Sequence, residues 1–293
     1  MEDLIKALNS DDEVERIYAA QDIAESKNPE LTEFLLKRLS AEESQAVKDA
    51  IIFALGNLSC FENYPMIFRL FRSPDAYLRN AAIGIFASEG KKAVEFLSSH
   101  LNHSDREVRK LILDALFATG DPDAARAIRQ SLHDSSLNVR ITAAEYLGRM
   151  ADEESADELL AILQKETEPM LITAVLESLS VTEDQEIIRK LFSFFAPERD
   201  FSRTDKLYMP QLIYLWAKTG DSELLFKMID ALKPFEIYEE DIVHALEQAE
   251  ERFTGICKEA HISELIKKIM EHTENKEIYA LCRKLETRKQ ETL

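Results

Sequence analysis

Glycine and proline are scarce in this chain, 7 and 8 among 293 residues, about half their usual combined share. An all-β or turn-rich fold needs a turn signal roughly every ten residues, and too few are present. Collagen-like and low-complexity classes are excluded on the same ground. Cysteine is scarcer still. Cys60, Cys257 and Cys282 are odd in number and fit no disulfide framework or zinc spacing, which points to a reducing compartment. No apolar run reaches the roughly 18 residues of a membrane span, and the opening MEDLIKAL is acidic where a secretory leader would be basic. A cytoplasmic location without membrane contact is expected. Positive charge is also short: 36 Lys and Arg against 55 Asp and Glu leave a net charge of −19. The acidity is spread along the chain, and no cationic stripe is visible to follow a nucleic-acid backbone. Nucleic acid is therefore not an expected partner. A basic protein or peptide suits this charge, and so does an ordinary solvated acidic surface.

What is abundant is a repeat. VKDAIIFAL (47–55), LRNAAIGIF (78–86), VRKLILDAL (108–116) and VRITAAEYL (139–147) start 31, 30 and 31 residues apart. ERIYAAQDI (15–23) precedes them and LITAVLESL (171–179) follows, each 32 residues away. Weaker copies are YMPQLIYLW (208–216) and YEEDIVHAL (238–246), after steps of 37 and 30. With the first residue of each copy as position 0, positions +4, +5 and +8 are apolar in all eight. At about 100° per residue these positions share one helix face. A second amphipathic segment, such as PELTEFLLKRL (29–39) or KKAVEFLSSHL (91–101), lies between consecutive copies. Paired helices of this kind cannot bury their apolar faces alone and must stack. We call the first helix of each pair A and the repeat copy B. Ser104 and Glu107 are spaced as a capping box for one B helix.

SPDAYLRNAAIGIF, HSDREVRKLILDAL and DSSLNVRITAAEYL carry an Asp-x-x-(Val/Leu)-Arg pattern followed by small and apolar residues. The pattern resembles the short HEAT repeat of the phycobilisome-lyase type, well over residues 1–180 and weakly over 181–250. The resemblance implies an all-α fold, a right-handed α-solenoid (an alpha-alpha superhelix) of about eight helix pairs. Residues 1–260 then form one solenoid, regular over 1–180 and irregular over 181–260, and 261–293 form a charged helical cap. The repeat serves scaffolds, lyases and hydroxylases alike, so it does not choose among them.

Position +1 is basic in the first five copies: Arg16, Lys48, Arg79, Arg109 and Arg140. It lies on the buried side of helix B, where a charge needs a partner. Position −3, which includes Asp12, Asp75 and Asp105, is expected to supply it from the same repeat or the next, and also suits a helix N-terminus. Such a ladder is a structural device in HEAT arrays; an anion site is the alternative. The ladder ends at Ile172, so the C-terminal third should be held differently. Positions +2, +6 and +10 face away from the apolar stripe and should line the concave wall. Among them are Asp49, Phe53, Asn80, Asp114, Glu145, Arg149, Glu177, Tyr214 and Lys218. By the resemblance, this wall grips an extended peptide or a helix; plain solvated helix faces are the other reading. Residues 192–216 hold seven of the chain's 24 aromatic residues, together with Arg199, Arg203 and Pro210 inside a B helix. Phe201 and Trp216 belong either to an interaction hot spot or to bulky filling where the stacking changes.

Enzymatic readings find less support. The deoxyhypusine hydroxylases have similar repeats and His-Glu metal ligands, but this chain has no His-Glu dipeptide. His100, His103, His133 and Asp134 could meet at one edge and hold a metal, or simply be solvated loop residues. ERIYAAQDIAE resembles the first-repeat helix of bilin lyases and isomerases, with no further lyase signature. The HEAT-like DNA glycosylases have a basic wall that is lacking here. The expectation is a non-enzymatic protein-binding scaffold or regulatory adaptor without cofactor, metal or catalytic residue, and a bilin-lyase-type enzyme or subunit is the alternative.

Overall fold

The computed structural model describes residues 1–197, 200–201, 204–232 and 234–287. Among these there is no strand, and eighteen α-helices follow one another with short 3-10 turns between them. They stack in pairs as an all-α solenoid. The chain divides into two compact units, Met1–Tyr146 and Leu147–Leu293. No helix is long and apolar enough to cross a membrane among the described residues.

The first unit contains α1 (Glu2–Leu8), α2 (Glu13–Ser26), α3 (Thr32–Ala41), α4 (Gln45–Gly56) and α5 (Tyr64–Arg69). It continues with α6 (Ala76–Glu89), α7 (Lys91–Ser98), α8 (Arg106–Ala118), α9 (Asp123–Gln130) and most of α10 (Leu137–Arg149). The second holds α11 (Ala156–Leu163), α12 (Pro169–Leu179), α13 (Gln185–Phe195) and α14 (Met209–Trp216). After them come α15 (Ser222–Ala231), α16 (Glu239–Arg252), α17 (Ala260–His272) and α18 (Lys276–Thr287). The repeat copies occupy the even-numbered helices from α2 to α16. Within each unit successive B helices pack together, α2 on α4, α4 on α6 and α6 on α8 in the first, α12 on α14 and α14 on α16 in the second. Helix α17 packs on α15, and α18 on α16. The C-terminal segment is thus a further pair with the same order of neighbours. Positions +4 and +8, such as Ile51, Leu55, Ala82, Phe86, Ile112 and Leu116, are buried.

Position −3 starts the helices. Asp12, Ser44, Asp75 and Asp105 stand in extended backbone at the N-caps of α2, α4, α6 and α8. Their side-chain oxygens accept from the backbone N–H groups of Val14 (2.8 Å), Val47 (3.4 Å), Tyr77 (2.9 Å) and Glu107 (2.9 Å). Each thereby satisfies an otherwise orphaned donor of the first turn. For α8 this corrects the expected Ser104–Glu107 box: the cap is Asp105, one residue later.

The ladder is also corrected. The −3 carboxylates are occupied with capping, and the +1 guanidiniums turn to position −5. Arg16 donates Nε to Glu42 at 2.9 Å and Nη2 to its other oxygen at 3.1 Å. Arg109 grips Asp134 in the same two-pronged way at 2.6 and 2.7 Å. Glu42 and Asp134 both stand at −5 of the following repeat. Only Lys48 reaches a −3 carboxylate among these pairs, Asp75 at 3.5 Å. Every one of the four arginines also closes the loop before its own helix. Arg16 donates to the carbonyls of Ser10 and Asp11, Arg79 to Ser73 and Pro74, Arg109 to His103 and Ser104, and Arg140 to Asp134. A planar fork of five donors suits this work, because it binds a carboxylate edge-on and still has N–H groups for carbonyls.

In the second unit Glu183 gathers the cations instead. Arg252 donates to both its oxygens at 2.5 and 2.8 Å, and Lys218 Nζ reaches it at 3.0 Å and the carbonyl of Thr182 at 2.8 Å. The Arg252 bond, joined by that of Lys218, holds the Glu183 carboxyl down at about 2.

Two breakers occupy other places than the turn pattern assigns them. Pro210 lies in the first turn of α14, after the 3-10 turn Lys206–Tyr208, and not in the helix interior; its missing N–H costs nothing there. Gly148 is no turn residue but lies within α10, where a Cβ would meet Ser178 Cα at 2.6 Å. Gly148→Ala must push two helix backbones apart, and a loss of about 1–3 kcal/mol is expected. Gly84→Ala makes a matched control, since a Cβ there meets open space on α6. It should add about 0.5–1 kcal/mol through helix propensity. Urea midpoints of the two variants, moving in opposite directions, test both statements.

Candidate functional site

In the first unit, Asp49, Phe53, Asn80 and Glu145 are exposed and Asp114 is half-buried. In the second, Arg149 and Glu177 are exposed and Tyr214 is half-buried. Lys218 departs from the expected wall: it is buried, with its ammonium committed to Glu183 and Thr182. The aromatic hot spot is corrected as well. Phe201 is 3% and Trp216 0% exposed. Phe201 packs edge-on to Phe192, and Phe195 lies against Tyr208. Trp216 donates its indole N–H to the carbonyl of Asp221 at 2.5 Å. These bulky residues fill the space opened by the longest repeat step, and of the group only Phe194 is exposed. Arg199 and Arg203 lie outside the described residues.

The exposed side of the B helices has a regular register that the sequence reading missed. Carboxylates at +2 or +6 receive hydrogen bonds from neutral donors at −1, +3 or +7 of the next repeat. Tyr77 donates its hydroxyl to Asp49, and Tyr146 donates to Asp114 at 2.6 Å. Gln211 Nε2 donates to Glu177 at 3.3 Å. In the last rung the order is reversed, with Tyr214 at +6 bonded to Asp241 at +3. Tyr146 also stacks flat on Phe117, centroids 4.4 Å apart. Burial, then the Asp49 bond and charge, push the Tyr77 phenol up to about 12. Burial raises Tyr214 and Asp241 too, with neighbouring Glu240 adding to both. The signal was a donor recurring at −1, +3 or +7, which is legible only when adjacent repeats are laid side by side.

Phenols and amides fix a carboxylate without neutralising it. Lys110 stands 3.8 Å from Asp114, Asp49 takes a further bond from Gln45, and Glu145 has no partner among the described residues. Asp49 and Glu145 in the first unit and Glu177 in the second therefore keep their negative charge, while Asp114 shares its charge with Lys110.

The histidine set does not converge. His100 Nδ1 faces the Phe96 carbonyl at 2.8 Å, and its ring lies against Phe68 and Phe96. His103 Nδ1 accepts from the N–H of Asp105, and Asp134 spends both oxygens on Arg109. Among the described residues no three His, Cys, Asp or Glu are grouped to hold a metal ion.

The family model for HEAT repeats matches residues 1–84 and 94–180, more than half of the chain. The chain belongs to the HEAT-repeat family. No curated protein matches it in sequence. Similar solved structures include an engineered protein at 18% identity and a TM-score of 0.46, with 98% of this chain and 88% of that one covered. YibA of Escherichia coli is also 18% identical, with a TM-score of 0.46 and coverages of 85% and 92%. The CpcE–CpcF complex of phycocyanin lyase from Nostoc is 18% identical, with a TM-score of 0.34 and coverages of 80% and 93%.

Proposed function

We propose that this HEAT-repeat protein is a non-enzymatic scaffold or regulatory adaptor that holds a basic segment of a partner protein on the exposed side of its B helices. One observation supports this above the others. In the first unit Asp49 is oriented by Tyr77 and Asp114 by Tyr146, and in the second Glu177 by Gln211, neutral donors that leave Asp49 and Glu177 their charge. An incoming lysine or arginine then meets acceptors whose side-chain entropy is already spent, which is how preorganisation strengthens binding. Asn80 and Phe53 supply amide and apolar contact beside the acids of the first unit, and Tyr214 supplies an aromatic edge in the second. Three buried cysteines outside any disulfide fit a cytoplasmic setting.

A short fluorescent lysine- and arginine-rich peptide, followed by anisotropy, tests the reading. Binding should weaken steeply as salt rises, because these contacts are exposed. The triple change Asp49→Asn, Glu145→Gln and Glu177→Gln should weaken it by about tenfold or more at low salt, with the helical signal kept. Equal binding by the triple variant, or equal binding of a neutral peptide, would sink the proposal.

A further inference from the structure

The A-helix side of the second unit has a feature of opposite chemistry. Grooves run along both flanks of α13: one of about 630 Å³ against α11, the other of about 470 Å³ towards α15. The first has an apolar floor of Leu160 and Leu163 from α11 and Phe194 from α13, with Gln164, Glu186, Arg189, Lys190 and Ser193 along its rim. Phe194 is 44% exposed, although its neighbours Phe192 and Phe195 are turned inward or half-buried. Helix α13 has 11 residues, about 16 Å of length, so about three turns of a second helix fit beside it.

The charge at the rim is unusual for this chain. Lys190 is paired, with Glu186 at 3.0 Å and Asp157 at 3.8 Å. Arg189 has no carboxylate partner among the described residues. Its Nε donates to the Gln185 carbonyl one turn back at 3.1 Å, and the rest of the guanidinium has no partner among the described residues. It also borders the groove on the other flank. In a protein of net charge −19, an exposed arginine without a carboxylate partner among the described residues, beside an exposed phenylalanine, a leucine floor and a Glu186 already engaged by Lys190, is a local inversion of the surface. It matches a ligand with apolar residues on one face and carboxylates at its edge.

We infer that the α11–α13 groove docks an acidic amphipathic helix of a partner protein, with its apolar residues over Leu160, Leu163 and Phe194 and a carboxylate on Arg189. Helix-in-groove recognition of this kind is read through anchors at i, i+3 or i+4, and i+7. The site is independent of the acidic B-helix face and takes a ligand of the opposite charge.

The test uses the full chain and a fluorescent peptide of leucines at i, i+4 and i+7 with glutamates between them, followed by anisotropy. The peptide should bind, and Arg189→Glu and Phe194→Ala should each weaken binding by about tenfold. Both residues are exposed, so circular dichroism and thermal midpoints should stay in place. Binding of the lysine- and arginine-rich peptide should be unaffected by either change, which separates a failure here from a failure of the B-face reading. The inference is overturned if the acidic peptide does not bind, if both variants bind it as the parent does, or if the peptide with lysines for glutamates binds as tightly. It is equally overturned if Arg189→Glu abolishes a concentration-dependent dimer of the parent, which would make the groove a contact between copies.

Discussion

Trp216→Ala should destabilise the second unit by about 3–5 kcal/mol, the range for truncating a fully buried large aromatic residue. The side chain is completely buried and is the only tryptophan in the chain. Its indole N–H bonds the carbonyl of Asp221, whose side chain in turn caps α15 by accepting from the Leu224 N–H at 3.0 Å. The ring thus joins the end of α14 to the start of the next helix. Trp216→Phe keeps most of the volume and removes only the donor, so a smaller loss of about 1–2 kcal/mol is expected. Urea unfolding followed at 222 nm reads both changes. A cost under about 1 kcal/mol for the alanine variant would mean that the ring is not the packed core residue described here.

Glu42→Gln should be about as damaging, and it should alter the acid response as well. The Glu42 side chain is 1% exposed and is held by Arg16 and Arg38. Burial alone would raise its pKa. Bonds from Arg16, the Ser44 N–H and Arg38 overcome that and lower it from 4.5 to about 2. A carboxyl with a lower pKa in the folded chain contributes its full stability above the unfolded value, and loses it as pH falls. The window here is from about pH 4.5 down to about 2, and the contribution is about 3 kcal/mol at roughly 1.4 kcal/mol per unit. Glu183 is lowered to about 2 as well, but its side chain is 54% exposed, so solvent screening makes its share much smaller. Glu42→Gln leaves Arg16 buried without its anion, for which about 3–5 kcal/mol is typical. Stability curves at pH 7, 4 and 2.5 should show the parent losing ground on acidification and the variant starting lower with a flatter profile. A variant as acid-sensitive as the parent would show that the linkage lies elsewhere.

These two residues also mark how far the sequence could be read. The helical class, the repeat step and the core positions were legible because each depends on local periodicity: apolar residues at +4 and +8 are buried whatever the neighbour is. The exposed B-face residues Asp49, Phe53, Asn80, Glu145 and Glu177 were legible on the same ground, since they lie opposite the apolar stripe. The partners of Arg16 and Arg109 were not. Both −3 and −5 offered carboxylates, and the choice depends on which one the N-cap geometry consumes. Trp216, at +8, was assignable to the core by its position; its place in an aromatic cluster made an exposed hot spot look equally reasonable. Lys218 stood at an outward position, yet the altered stacking around α14 turns it towards Glu183, 35 residues earlier.

The scarcity of glycine and proline had a simple consequence on its own: few breakers and a near-constant step leave long helical runs that must pair and stack. That much follows from covalent preference and periodicity, which act within one or two turns of helix. Which carboxylate meets which guanidinium, where Gly148 lets two backbones approach, and how Tyr77 and Tyr146 reach across to Asp49 and Asp114 were decided only in the tertiary structure. These contacts join residues 25–32 positions apart. Their geometry depends on the offset between adjacent helix pairs, which packing sets and which no local pattern encodes.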